Sequence, residues 1–232
     1  MKGTIYLLPV TLGGNDFSKV IPLKVLDITR RLRFFIVEDI RSARRYLRLI
    51  DRKFPIDDTI FYELNEHTAD ADVSSLLDPV LKGTDCGLMS EAGLPGIADP
   101  GARVVALAHT KKIQVIPMSG PSSIILALIS SGFSGQQFTF NGYLPVKPAE
   151  RTAKIRELEK KSREGYSQIF METPYRTQKM VDTMLSVCRD ETQLCIAADI
   201  TLETESIRTL RIDEWRKYPP DIDGRLVIFV LK

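Results

Sequence analysis

Apolar and polar positions alternate in blocks along the first half of the chain. Residues 4–8, 34–37, 59–64, 86–89 and 113–117 are short, mostly apolar runs, each closed by turn-forming or polar residues, and each predicts a strand. Between them the apolar positions recur at helical spacing, from about residue 20, over 41–52, over 69–81 and over 102–111. Five strands alternating with helices predict a largely parallel sheet covered on both faces. In the second half, residues 138–140, 168–171, 193–198, 206–212 and 226–231 predict strands, and 124–129, 149–164 and 177–187 predict helices. The last two strands are parted by Pro219, Pro220 and Gly224 with no helical pattern between them, so this sheet is expected to be mixed or partly antiparallel. The expected fold is α/β, with an N-terminal domain over 1–118 and a C-terminal domain over 119–232.

The breaks between blocks differ in character. The one after 86–89 reads S-E-A-G-L-P-G-I-A-D-P-G before the helical pattern resumes at Ala102, a long shaped loop at the carboxyl end of a strand. Ligands usually sit at such ends in open α/β sheets. Glycine lets the backbone come close to a ligand and proline fixes the loop's shape. It is not a phosphate cradle, because it lacks both the Walker lysine and the G-x-G-x-x-G spacing. A second glycine-proline loop, Met118-Ser119-Gly120-Pro121-Ser122-Ser123, leads into an apolar helix. Its serines are helix caps first, and the free amides of such a first turn also suit a carboxylate or a ribose hydroxyl.

The helix after 34–37 is amphipathic in charge as well as hydropathy. At about 100° per residue, Arg41, Arg44, Arg45, Arg48 and Arg52 fall within a narrow arc, and Ala43, Tyr46, Leu47 and Ile50 lie opposite. A solvated face explains such a stripe, and so does binding to a phosphate backbone. A second basic group, Lys147, Arg151, Lys154 and Arg156, follows Gly142-Tyr143-Leu144-Pro145.

Composition narrows the possibilities little. Among 232 residues, 32 Lys and Arg face 30 Asp and Glu, so a nucleic-acid partner has to be argued from local clustering. Cys86, Cys188 and Cys195 are odd in number and unclustered, and His67 and His109 are far apart in sequence. That pattern suits reduced thiols in a cytoplasmic protein and argues against a disulfide frame or a metal site. No signal-peptide pattern follows Met1, and no apolar run approaches the ~18 residues of a membrane span.

Taken in order, these motifs resemble the tetrapyrrole methylase superfamily, most closely its branch that 2′-O-methylates a cytidine of small-subunit ribosomal RNA. Residues 90–101 are similar to that branch's S-D-A-G-T-P-x-I-S-D-P-G, and Pro117 through Ser123 to its P-x-P-G-P-x-A. Glu38-Asp39-Ile40-Arg41 resembles its E-D-T-R, Gly142-Tyr143-Leu144-Pro145 its G-F-L-P, and Glu172-Thr173-Pro174-Tyr175-Arg176 its E-S-x-H-R. The opening P-T-P-I-G-N-L and the closing G-E-M-V are only approximated, by Pro9 through Asn15 and by Gly224 through Val227.

The resemblance implies two α/β domains with S-adenosylmethionine in the cleft between them, usually in a homodimer. Carried over by position, Gly93, Leu94, Ile97 and Ala98 hold the amino-acid and ribose part, and Ser122 and Ser123 reach the same ligand. Met171, Ala197 and Gly224 line the adenine side, and Pro9 sits beneath the methyl donor. The expected partner is ribosomal RNA or the small ribosomal subunit, with no membrane and no metal, and Arg41, Arg44, Arg45 and Arg48 are the expected RNA contacts. Methyl transfer to a hydroxyl needs a proton acceptor, for which Glu91, Glu172 and Asp39 are candidates, Glu91 first because it lies in the central loop. A tetrapyrrole or other small-molecule acceptor, and a catalytically silent S-adenosylmethionine- or RNA-binding protein, are the alternatives.

Overall fold

The computed structural model describes residues 1–232, the side chain of Asp70 excepted. The chain forms two compact units, Met1–Ser122 and Ser123–Lys232.

The first unit holds the strands β1 (Thr4–Leu7), β2 (Phe34–Val37), β3 (Ile60–Glu63), β4 (Cys86–Met89) and β5 (Gln114–Pro117), paired in parallel in the order β3-β2-β4-β1-β5. Its helices are α1 (Leu23–Arg31), α2 (Ile40–Ile50), α3 (Asp70–Val73), α4 (Asp78–Leu81) and α5 (Gly101–Thr110). β2 and β4 are buried along their whole length because the sheet is covered on both faces. Phe35, Val37, Leu8 and Met89 pack with Val25, Tyr46 and Leu47 from α1 and α2. On the opposite face Phe34, Ile36, Ile5 and Leu88 pack with Val73, Val80, Val104 and Ala108 from α3 to α5. The single helix expected over 69–81 is broken into α3, a 3-10 turn at Ser75–Leu77, and α4. Ser74 and Ser75 favour local turns, and Pro79, seated in the first turn of α4, has no amide to continue a helix from before it.

The second unit holds β6 (Phe138–Tyr143), β7 (Ser167–Glu172), β8 (Gln193–Ala198), β9 (Ser206–Arg211) and β10 (Val227–Leu231), ordered β6-β7-β10-β8-β9. β6 and β7 are parallel and every other pairing is antiparallel, so the sheet is mixed. Its helices are α6 (Ser123–Ser130), α7 (Pro148–Arg163), α8 (Thr177–Val187) and α9 (Ile212–Lys217). Phe170, Ile196, Ala198 and Phe229 form a core with Leu158, Met180, Met184 and Trp215, which come from α7, α8 and α9. α6 packs against β10 and β7.

Two expectations are corrected here. β6 runs on past residue 140, where the predicted strand ends, through an irregularity that takes in Gly142 at φ +61°, so Gly142 and Tyr143 belong to the strand. A helix does stand between the closing strands. α9 is anchored by Trp215, fully buried and donating its indole N–H to the carbonyl of Leu194 at 2.9 Å. Among the described residues no helix is long and apolar enough to cross a membrane.

Candidate functional site

Three loops of the first unit converge at the carboxyl ends of β1, β4 and β5. Past β1 the chain enters buried Pro9 and Val10, and the Val10 N–H donates to the carbonyl of Gly93 at 2.9 Å, tying the first loop to the one after β4. The Met118 N–H donates to the Leu7 carbonyl at 3.1 Å, tying the loop after β5 to the same strand. The contacts are close enough to exclude a side chain at Gly120 and to crowd one at Gly93. A Cβ on Gly120 would lie 2.1 Å from Cβ of Pro9, and one on Gly93 would lie 3.1 Å from a methyl of Leu12 and 3.2 Å from the carbonyl oxygen of Pro121. Tyr46 of α2 donates its hydroxyl to the Pro9 carbonyl at 3.2 Å, and burial pushes that phenol well above its usual range.

The loop after β4 is held in shape by one carboxylate. Asp99 accepts the amide of Gly96 at 2.7 Å on one oxygen and that of Gly101 at 2.6 Å on the other, closing a ring that places Ala98 in the left-handed region at φ +60°. Burial raises the Asp99 carboxyl above the ordinary range, and these amides pull it back in part. Ile97 and Ala98 are exposed, Leu94 is half-buried, and Gly96 at φ +86° has open space where a side chain would stand. Such a backbone can be approached closely by a ligand. In the sequence Asp99 is only one member of the 90–101 motif, although an Asp before Pro-Gly at a helix start is a turn and cap signal.

Glu38, at the exit of β2, accepts the Glu91 amide at 3.2 Å across 53 residues of sequence. Burial raises its carboxyl, the Glu91 amide lowers it, and the neighbouring Asp99, Glu91 and Asp39 raise it further. Glu91 itself is exposed at the end of β4. The other two candidate proton acceptors hold structural positions. Asp39 caps α2, accepting the Ser42 amide at 2.6 Å. Glu172 is buried at the end of β7, where one oxygen accepts from Arg176 at 2.6 and 2.9 Å and from the Thr173 amide at 2.7 Å, and the other has no partner among the described residues. That pairing pins the turn after β7.

Arg41, Arg44, Arg45 and Arg48 are exposed along one side of α2 while Ala43, Tyr46, Leu47 and Ile50 are buried, and Arg52 lies beyond the helix end. Among the described residues none of these four arginines forms an ion pair. Arg44 lies over the ring of Phe61, and Arg48 donates to the Arg52 carbonyl at 2.8 Å. The second basic group is not comparable. Arg151 is buried and donates to Thr183 and to the Val146 carbonyl, and Lys147 and Lys154 pair with Glu150 and Glu157.

In the second unit, Met171 and Ala197 flank Ile228 across β7, β10 and β8, so the three share one face of the sheet, away from the Phe170–Phe229 core. Ser123 opens α6, and Ser122, the last residue of the first unit, is buried. Gly224 stands at φ +72° in the turn before β10 with no atom where its Cβ would be. The neighbouring Arg225 is locked to Asp199 at 2.8 Å. Burial acts to raise the Asp199 carboxyl, but the hydrogen bonds from Arg225 and Thr204 prevail and hold it below its ordinary value. Among the described residues no group of acidic, histidine and cysteine side chains is placed to hold a metal.

Residues 19–215 match the family model for tetrapyrrole (corrin/porphyrin) methylases. The protein named ribosomal RNA small subunit methyltransferase I from Vibrio cholerae is 30% identical over 222 residues, covering 95% of this chain and 73% of that one. Its namesake from Micromonospora olivasterospora is 30% identical, covering 92% of this chain and 64% of its own length. That of Streptococcus pyogenes is 31% identical, with 94% and 71% covered. A crystal structure of the methyltransferase CobJ superposes with a TM-score of 0.64 at 13% identity, covering 98% of this chain and 93% of that chain, and so shares the fold. The parallel and mixed sheets are thus those of the family's fold, and the chain belongs to the tetrapyrrole methylase family.

Proposed function

We propose that this protein transfers the methyl group of S-adenosylmethionine to a ribose 2′-hydroxyl of small-subunit ribosomal RNA. The observation that carries the reading is the likeness, along nearly the whole chain, to three proteins named ribosomal RNA small subunit methyltransferase I. The exposed arginines of α2, free of ion pairs among the described residues, favour an RNA acceptor.

Family membership implies S-adenosylmethionine as the donor. The loops of the first unit fit such a ligand, since Gly96 presents bare backbone and Asp99 keeps the loop from collapsing. In this reading Pro9 forms the floor beneath the methyl donor. Gly93, Leu94, Ile97 and Ala98 hold the amino-acid and ribose part, with Ser122 and Ser123. Met171, Ala197 and Gly224 are assigned to the adenine. When bound, the donor supplies a methyl group on a positively charged sulfur. The chain's own residues orient the acceptor oxygen in line with it and keep water out, and held geometry of this kind is worth on the order of 7–11 kcal/mol. Glu91 takes the hydroxyl proton, directly or through one water. The protein acts in the cytoplasm, as a homodimer.

The test is methylation of small ribosomal subunits with isotope-labelled S-adenosylmethionine, followed by digestion to nucleosides. The expected product is labelled 2′-O-methylcytidine. A label found on a base, or no transfer to RNA by a protein that binds the donor, overturns the reading.

A further inference from the structure

Bordering the loop junction at Val10 lies a hollow of about 500 Å³, within the range of small-molecule sites, roughly 300–1,000 Å³. One wall is α2, which contributes Arg45, Arg48 and Leu49. The other is made by Asn15 from the loop after β1 and by Ser90 and Glu91 from the end of β4. Arg45 and Arg48, three residues apart on α2, are exposed and form no salt bridge among the described residues, although the Ser42 hydrogen bonds and then Arg45 lower the Asp39 carboxyl, and Arg48 donates to the Arg52 carbonyl. A planar guanidinium suits a phosphate oxygen pair. Glu91 across the hollow repels a ligand that is anionic throughout and accepts from one that carries hydroxyl or amino donors. Asn15 and Ser90 add donors and acceptors, and Leu49, Tyr46 and Val10 give apolar area.

A ligand that is anionic at one end, rich in hydrogen-bond donors at the other and partly apolar is a nucleotide. We propose that this hollow receives one nucleotide of the RNA acceptor, turned out of its stack, with its phosphate on Arg45 and Arg48 and its sugar or base edge toward Ser90 and Glu91. The inference rests on the RNA-acceptor reading and specifies it. Enzymes that act on a nucleotide commonly take it out of the helix into a pocket. Arg41 and Arg44, on the same helix but outside the hollow, are left for the flanking backbone.

The test is titration of the folded protein with the four ribonucleoside 5′-monophosphates, the matching nucleosides and inorganic phosphate. At least one monophosphate is expected to bind about tenfold or more tightly than both its nucleoside and inorganic phosphate. The double variant Arg45→Glu/Arg48→Glu, and Ser42→Phe, which fills the hollow without changing charge, are each expected to remove that preference. If Ser42→Phe binds monophosphates as well as the parent does, or if monophosphate binds no better than inorganic phosphate, the subsite is wrong and only a charged surface remains. Should a variant fail to fold, the ranking of the three ligand classes on the parent protein decides alone. S-adenosylmethionine is titrated in parallel. Donor binding without nucleotide preference sinks the subsite and leaves methyl transfer standing, and nucleotide preference without donor binding does the reverse.

Discussion

Glu38 is a half-buried carboxylate whose nearest compensation is a single amide, from Glu91, and whose neighbours are Asp99, Glu91 and Asp39. Its folded value is raised above the ordinary 4.5, so its contribution to stability is present in full below pH 4.5 and is lost as pH rises through the folded value. At neutral pH the ionised group is therefore a cost. Glu38→Gln keeps an acceptor for the Glu91 amide and removes the charge. It is expected to raise stability at pH 7.5 by about 1 kcal/mol or less, given solvent screening at a half-buried site, with the gain vanishing toward pH 4. Urea unfolding of both proteins at the two pH values checks this, and a gain that grows as pH falls contradicts it. None of this was legible in the chain, where Glu38 is one acid in an E-D-I-R run. The bond that defines it comes from an amide 53 residues away, and only folding brings the two together.

At the scale of elements, legibility followed the strength of the local signal. β2 and β4 read directly as unbroken apolar runs because both faces of the parallel sheet are covered, and α8 read directly from its repeating Met180, Val181 and Met184. α9 did not, since six residues with two buried positions, Ile212 and Trp215, leave almost no periodicity to detect. The loops after β4 and β5 announced themselves through glycine and proline, but their meeting did not, because Gly120 and Pro9 touch through the absence of a side chain. Gly120→Ala is accordingly expected to cost about 1–3 kcal/mol, as overpacking does, and to weaken S-adenosylmethionine binding at least tenfold. Gly96→Ala meets no atom, and its cost is the conformational one alone, about 1–2 kcal/mol for a residue at φ +86°. Denaturation midpoints and calorimetric titrations of the pair compare the two. Equal loss of donor affinity in both variants argues that the Pro9–Gly120 contact is not part of the donor site.

At the scale of the whole molecule, each of the two units has its own buried core, and the family match runs through both. A donor that binds only the folded chain raises the unfolding temperature by mass action. At a hundred times its dissociation constant the gain is about 2.7 kcal/mol, on the order of 5–10 °C for a chain of this length. Scanning calorimetry with and without S-adenosylmethionine measures it, and an unchanged transition removes the cofactor assignment.

The ground on which that donor is proposed to rest, Pro9 with Gly120 against it, meets one titratable side chain, Tyr46, whose phenol burial pushes well above its usual range. Its electrostatic character is the same in mildly acid and mildly alkaline solution. Donor affinity measured from pH 6 to 9 is then flat on that account, and any bend in a rate profile belongs to the groups that handle the incoming hydroxyl.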